Sequence, residues 1–89
     1  MATIFVRHRV ADFQTWKRAY DDFDSERATL GVTGHGVYQV DGEPNEVVLY
    51  HHFESMDAAK GFMANPRLQQ VMVAAGVQGE PTVWFTNRV

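Results

Sequence analysis

Two hydrophobic periodicities alternate along this 89-residue chain, and their order restricts the fold more than any other feature. Four segments have the alternation or the β-branched and aromatic content of strands: residues 3–10, 33–40, 46–53 and 81–86. Two segments repeat apolar side chains every three or four residues, as amphipathic helices do: residues 13–30 and 56–75. The order β-α-β-β-α-β predicts a ferredoxin-like α+β fold, a four-stranded antiparallel sheet with both helices on one face.

Side chains suited to helix ends bound both helical segments. Asp12 and Ser55 can each accept a hydrogen bond from an amide of the first turn. Gly31 and Gly76 favour the left-handed backbone that ends many helices. Asn65-Pro66 falls inside the second segment and predicts a break or kink there, because proline cannot donate the helical hydrogen bond.

The composition favours a single domain over residues 1–89 and excludes several classes of partner. A net charge of −3 with a pI near 5.7 gives no electrostatic basis for binding nucleic acid. The chain has no cysteine, so the fold depends on packing without disulfides. No apolar run is long enough to span a bilayer and no signal peptide is visible, so we expect no membrane partner and a cytoplasmic location. A chain this short leaves much surface exposed, and we expect it to self-associate.

All four histidines lie in the predicted strands, and alternation assigns two of them to an apolar face. His8 is in phase with the apolar residues of the first strand, and His51 with those of the third. A neutral imidazole on an apolar wall can accept a proton, because the wall raises the cost of charging it beforehand. His8 and His51 are therefore candidates for acid and base catalysis, although this pattern more often marks a hydrogen-bonded core histidine.

The register of the second and third strands decides where His35 lies. Residues 41–45 have turn chemistry, so these strands should form a hairpin. If the turn pairs Val40 with Glu46, His35 falls opposite His51, whereas a slip of one residue moves it to the other face. His8, His35 and His51 then support a metal-site hypothesis, since imidazole binds zinc, copper, nickel and iron. No spacing motif supports such a site, so we assign no metal ligand.

One pattern of residues resembles a known superfamily. It consists of a glycine-led strand (Gly34 to Tyr38), Pro44-Asn45, the apolar strand Glu46 to Phe53, Glu54-Ser55 and then Ala58-Ala59. The pattern resembles the dimeric α/β barrel superfamily, and within it the antibiotic-biosynthesis monooxygenases and the polyketide cyclases. The resemblance implies a homodimer that packs its sheets together, with a ligand pocket between sheet and helices in each subunit. His8 and His51 would line that pocket.

The chain also departs from this family. Many monooxygenase-like members carry a histidine on the second helix, where this sequence has Phe62, and both predicted helices here lack histidine. Some cyclases use a tyrosine and a histidine near this helix, at positions that are Phe62 and Leu68 here. Haem-degrading members hold iron with a helix histidine whose counterpart here is Met72. The resemblance therefore implies no haem, and we expect no cofactor.

The functional hypothesis from the sequence is a cofactor-independent enzyme that acts on an aromatic or polyketide-like small molecule. We place cyclisation first and monooxygenation second. Both reactions open by deprotonating a phenol or a carbon beside a carbonyl, so one histidine could serve either. His8 and His51 are the expected proton-transfer residues. The expected substrate-binding residues are Trp16, Tyr20, His35, Tyr38, Phe53 and Phe62. A non-catalytic dimer that binds a small ligand is the main alternative, and the histidine metal site is another.

Overall fold

The structure, a computed structural model, describes residues Met1–Val89. Its strands are β1 (Ala2–Val10), β2 (Val32–Val40), β3 (Glu43–Phe53) and β4 (Val77–Asn87). Its helices are α1 (Phe13–Asp22), α2 (Asp24–Thr29), α3 (Met56–Ala64) and α4 (Pro66–Ala74). None of these helices is long and apolar enough to cross a membrane. Each helical segment predicted from the sequence is thus a pair of consecutive helices.

The strands form one antiparallel sheet in the order β2-β3-β1-β4. This order and the helices on one face confirm the ferredoxin-like α+β prediction. The core lies between that face and the helices, where Ile4 of β1 and Val47 and Phe53 of β3 have no exposed surface. These residues come from the two central strands, because a central strand has neighbours on both edges and helices above it. Alternation therefore sends His8 and His51 into the same layer, where they are 5% and 6% exposed.

The first helical segment bends at Phe23, which the apolar stripe did not predict. Asp12 caps α1 as expected, since its carboxylate accepts from the Thr15 amide at 2.9 Å. At the bend, Arg27 Nη1 donates to the Tyr20 carbonyl at 2.7 Å. An uninterrupted helix would use that carbonyl for the amide four residues later, and a side chain inserted into this ladder is a known cause of kinks. Asp24, at the start of α2, lies against His35 of β2.

The second helical segment breaks at Asn65-Pro66, as the sequence predicted. The Asn65 side chain accepts from the Arg67 amide at 2.9 Å, and Pro66 takes the first position of α4, where no amide hydrogen is needed. Ser55 caps α3 by accepting from the Ala58 amide at 3.1 Å. Gly76 follows α4 with φ +87°, the left-handed conformation expected of it.

The β2–β3 turn is shorter than the sequence indicated. Only Asp41 and Gly42 form it, with Gly42 at φ +78°, so β3 begins at Glu43 and contains Pro44-Asn45. An Asp-Gly pair is enough for a tight hairpin, which is why the residues after it are free to join the strand. Asn45 instead accepts a hydrogen bond from the Phe13 amide at 2.9 Å. It ties the sheet to the start of α1.

The strand β4 begins at Val77, four residues before the predicted start at Pro81. Gly79 has φ +68°, and the pairing with β1 shifts register between Arg7 and Arg9. An irregularity of this kind is a β-bulge, which bends a strand without ending it. Gly79 and Pro81 favour a turn in the sequence, and the bulge absorbs both within the strand.

The face of the sheet opposite the helices is apolar and partly exposed. Phe5 pairs with Tyr50 on one side and Trp84 on the other, and Phe5 and Trp84 are 42% and 49% exposed. The Tyr50 ring lies over Gly36, where an added Cβ would come within 2.6 Å of it. The glycine-led strand thus makes room for an aromatic row across this face. The row leaves apolar surface exposed on this face.

Candidate functional site

A cavity lies between the sheet and the helices. It is lined by 14 residues, of which 11 are hydrophobic, and the remaining three are His8, Arg27 and His51. Its volume is about 60 Å³, which holds a few water molecules. Ligand pockets for drug-sized molecules are several times larger, on the order of 300 to 1,000 Å³. An aromatic ligand can enter this cavity only if its wall moves.

His8 of β1 stands at one end of the cavity. Its ring packs edge-on against Trp16 of α1, with 5.4 Å between the ring centroids. Its Nδ1 is buried and has no hydrogen-bond partner. Burial lowers the pKa of His8 below 6.5, while the nearby backbone of His8 itself and the charge of Glu46 act to raise it. The ring is therefore neutral at pH 7 and has an unused nitrogen, as a general base requires.

His51 of β3 lies at the other end. Its ring contacts Tyr20 at 6.2 Å and Phe62 at 5.2 Å between centroids. Burial, followed by the positive charge of Arg27, lowers the pKa of His51 to about 3. A base this weak stays neutral at pH 7 and is poorly matched to taking a proton there.

The two histidines do not meet at one point. His51 pairs with Ile4 across the strands, and His8 pairs with Val47, so the two lie four residue pairs apart. At about 3.3 Å per residue, this places their backbones roughly 13 Å apart along the sheet. They face the same cavity from opposite ends, and a small reacting group touches one of them at a time.

Arg27 of α2 is the only lining residue with a permanent charge. Its side chain is 3% exposed, and its guanidinium carbon lies 3.8 Å from the centre of the Tyr20 ring. Besides the bond to the Tyr20 carbonyl, Nη2 donates to Asp24 at 3.3 Å. Its Nε is buried without a partner. A cation with a free donor thus stands in an otherwise apolar wall.

Tyr20, His35 and Asp24 form a row of polar contacts from the cavity wall to solvent. The Tyr20 hydroxyl lies 2.5 Å from His35 Nδ1, and His35 Nε2 lies 3.2 Å from an Asp24 carboxylate oxygen. A carboxylate only accepts, so in neutral His35 the Nε2 carries the proton and Nδ1 accepts from Tyr20. Burial raises the pKa of Tyr20 to about 12, which keeps it a phenol. Asp24 is 70% exposed at the outer end.

The predicted substrate-binding residues divide between the cavity and other places. Trp16, Tyr20 and Phe62 line it. Phe53 is fully buried behind Phe62, with 5.4 Å between their rings, and lies in the core. Tyr38 is 60% exposed and stacks on Tyr50 of the opposite sheet face.

Tyr38 is therefore not a cavity residue, and this part of the predicted site is corrected. It pairs with Val48, whose side chain leaves β3 on the face opposite to His51. His35 stands next to the cavity wall and reaches it through Tyr20.

The register brings His35 opposite His51, as one of the two alternatives predicted, although the turn pairs Val40 with Glu43 and not with Glu46. A register shift between Gln39 and Val40 separates the two pairings. The rings of His35 and His51 stack with 6.0 Å between centroids. His8 is four pairs away, and no group of three or more histidine, aspartate or glutamate side chains is placed to hold a metal ion. The three histidines therefore do not form the cluster that the metal-site hypothesis needs.

Comparison with known proteins finds similarity in structure only. No protein-family profile matches the sequence, and no curated protein matches it significantly. A Bordetella bronchiseptica protein provisionally named an antibiotic biosynthesis monooxygenase superposes with a TM-score of 0.83 at 14% identity, over 99% of this chain and 96% of that one. SnoaB, a cofactor-independent oxygenase from Streptomyces nogalater, gives 0.76 at 16% identity over 99% and 94%. The chain has the antibiotic biosynthesis monooxygenase fold.

A third structure with this fold contains a ligand. The monooxygenase ActVA-Orf6 of Streptomyces coelicolor, in complex with nanaomycin D, superposes with a TM-score of 0.68 at 19% identity, over 99% of this chain and 87% of that one. At such identities the likeness establishes the fold, and members of one fold differ in their reactions. Function must be argued from the side chains of this cavity.

Sequence reasoning missed two residues of this site, Arg27 and Asp24. Both lie in the first helical segment, where the apolar stripe drew attention to Tyr20 and Phe23. Arg27 follows Phe23 by four residues, so it occupies the buried stripe of a continuous helix. A charged residue in phase with an apolar stripe was the available signal.

Proposed function

We propose that this protein oxygenates an aromatic, polyketide-like small molecule without a cofactor, in the cavity between sheet and helices. The observation that carries the proposal is the lining of that cavity, which is hydrophobic except for two imidazoles and one guanidinium. An apolar wall receives the rings of such a substrate, and a few polar groups orient it and move protons. The names of SnoaB and ActVA-Orf6 support oxygenation over the cyclisation that we placed first from sequence.

The reaction that we propose begins with loss of a proton from a substrate methylene activated by a phenol or carbonyl. The resulting carbanion is electron-rich enough to reduce dioxygen. One oxygen atom enters the substrate and the other leaves as water, R₂CH₂ + O₂ → R₂C=O + H₂O. The substrate supplies all four electrons, so the balance needs no added reductant.

We propose His8 as the base for this step and assign a different part to His51. His8 is neutral at pH 7 and has an unpaired nitrogen. The pKa of His51, about 3, makes it a much weaker base, so its proposed role is to contact the bound ring. The Tyr20 hydroxyl donates to His35, and its oxygen remains free to accept a hydrogen bond from a substrate hydroxyl; His35 and Asp24 continue the polar contacts towards solvent.

The helical wall is the part that we propose moves to admit the substrate. Met63 and Met72 line the cavity from α3 and α4, and unbranched methionine side chains adapt to different shapes. Phe62 lines the same wall and contacts His51, with 5.2 Å between ring centroids. Displacement of these side chains would enlarge the present volume of about 60 Å³ without disturbing the sheet.

Oxygen uptake tests the proposal. The purified protein, treated with EDTA, is mixed with 1,8-dihydroxyanthrone, which has a methylene activated by two phenolic rings. We expect uptake of one dioxygen per quinone formed, well above the rate of buffer alone, measured together with an oxygen electrode and visible absorbance. A heat-denatured sample controls for spontaneous oxidation. Uptake no faster than that control, or uptake that EDTA abolishes, would contradict cofactor-free oxygenation.

We also propose that the protein is a homodimer that packs its open sheet faces together. Support comes from the partly exposed aromatic row of Phe5, Tyr50 and Trp84, a larger apolar patch than single exposed residues form. Native mass spectrometry should give a dimer. Phe5→Glu, which introduces a charge into the row, should give a monomer, whereas Val73→Glu on the exposed side of α4 should leave the dimer intact. A monomeric wild type would exclude the proposal.

A further inference from the structure

The geometry points to Arg27 as the receptor for a negatively charged oxygen of the ligand, so that the cavity selects anionic aromatic molecules over neutral ones of the same shape. The inference rests on the proposed function, because it specifies the ligand class of the same cavity. Phenolates, enolates and carboxylates share the chemistry concerned, an anionic oxygen on an aromatic or conjugated body. Neither the fold nor the names of similar structures indicate such a selection.

Arg27 has a hydrogen-bond donor that no residue of the chain satisfies. The residue is 2% exposed, and its Nε is buried with no partner. A buried donor left unpaired destabilises the folded state, because it has lost its hydrogen bond to water. Native proteins seldom leave such a donor free without a reason, and the cavity beside it is the place from which an acceptor can arrive.

The one permanent charge inside the cavity, that of Arg27, is positive. Every other lining residue is hydrophobic or an imidazole, and burial favours the neutral form of both imidazoles. The carboxylate that pairs with Arg27 belongs to Asp24, which is 70% exposed and also contacts His35. Its charge is therefore shared and largely solvated. The cavity contains a cation with no anion inside it, which is the electrostatic complement of an anionic ligand.

The bending of the helix at Phe23 does not use the free donor. The hydrogen bond at the bend comes from Nη1, which donates to the Tyr20 carbonyl. Nη2 donates to Asp24, and the guanidinium lies over the Tyr20 ring. Nε takes part in none of these contacts. A purely structural Arg27 predicts no preference between charged and neutral ligands, so selectivity separates the two roles.

The experiment compares 2-hydroxy-1,4-naphthoquinone, which is anionic at pH 7, with its neutral methyl ether. Quenching of tryptophan fluorescence reports binding, since Trp16 lines the cavity. The chain has no cysteine that would add to the quinone. We expect the wild type to bind the anion about 10- to 100-fold more tightly, the range for a hydrogen bond to a charged group. Arg27→Met should lose most of this preference, and the exposed Arg18→Met, a matched loss of one positive charge, should keep it.

Each other outcome is decisive. Equal binding of both probes by the wild type would overturn the role of Arg27 and leave an aromatic-binding cavity in place. Binding of neither would overturn the cavity function itself. If Arg27→Met does not fold, the wild type alone answers the question: bound 5-hydroxy-1,4-naphthoquinone should ionise at a lower pH than the free compound, seen in its visible spectrum. An unchanged or higher ionisation pH would refute the inference.

Discussion

Acidification from pH 7 to pH 4.5 is expected to lower the free energy of unfolding by about 2 to 3 kcal/mol through His51 alone. The pKa of His51 falls from 6.5 to about 3 on folding, chiefly because the ring is buried. Below pH 6.5, His51 is therefore protonated in the unfolded chain but stays neutral in the folded chain. Above pH 6.5, His51 is neutral in both states and does not change the free energy of unfolding. As the pH falls from 6.5 towards 3, His51 lowers the free energy of unfolding by about 1.4 kcal/mol per pH unit.

Urea unfolding at the two pH values measures this effect. Carboxylates also contribute to acid sensitivity, so the informative quantity is the difference between the wild type and His51→Leu, which replaces the imidazole with an apolar side chain. His51→Leu should lose about 2 to 3 kcal/mol less than the wild type between pH 7 and 4.5. His52→Leu removes the adjacent, partly exposed histidine on the other sheet face and serves as the matched control. Identical pH dependence in the wild type and His51→Leu would mean that His51 is protonated in the fold at little cost.

The arrangement of strands followed from the sequence because period-two alternation and turn chemistry act locally. The alternation of β3 placed His51 in the core layer, and His35 lies opposite His51 as one predicted register requires, although the turn itself pairs Val40 with Glu43. The same rule would have excluded Tyr38 from a site that contains His35. The two are three residues apart in β2, so their side chains leave opposite faces.

The polar part of the site was harder to foresee, because it depends on contacts between elements. The bend at Phe23 arises from Arg27 reaching back to a carbonyl, and no propensity of the sequence signals such a bond. The bond places the guanidinium against Tyr20, and the carboxylate of Asp24 against His35. Residues 15 positions apart along the chain thus share a hydrogen bond that only the packed structure reveals.

His8→Asn is expected to reduce the oxygenation rate by about 10²- to 10⁴-fold, the usual contribution of a positioned general base. Asparagine is polar and of similar size, so the cavity should keep its shape while losing the group that takes the proton. The dissociation constant of 2-hydroxy-1,4-naphthoquinone, which tests binding without turnover, should change little. Parallel loss of binding and rate would indicate that His8 shapes the cavity and does not act as a base.

The comparison with His51→Asn distinguishes the two histidines, because both line the cavity but differ in basicity. The pKa of His51, about 3, predicts that His51→Asn slows turnover far less than His8→Asn does. The wild-type rate should rise with pH through the pKa of His8, which burial places below 6.5, and then level off near neutrality. His8→Asn should lose this acidic limb, while His51→Asn should retain it. If His51→Asn is the more damaged variant, proton transfer occurs at the Tyr20 end of the cavity, and the assignment of His8 as the base is wrong.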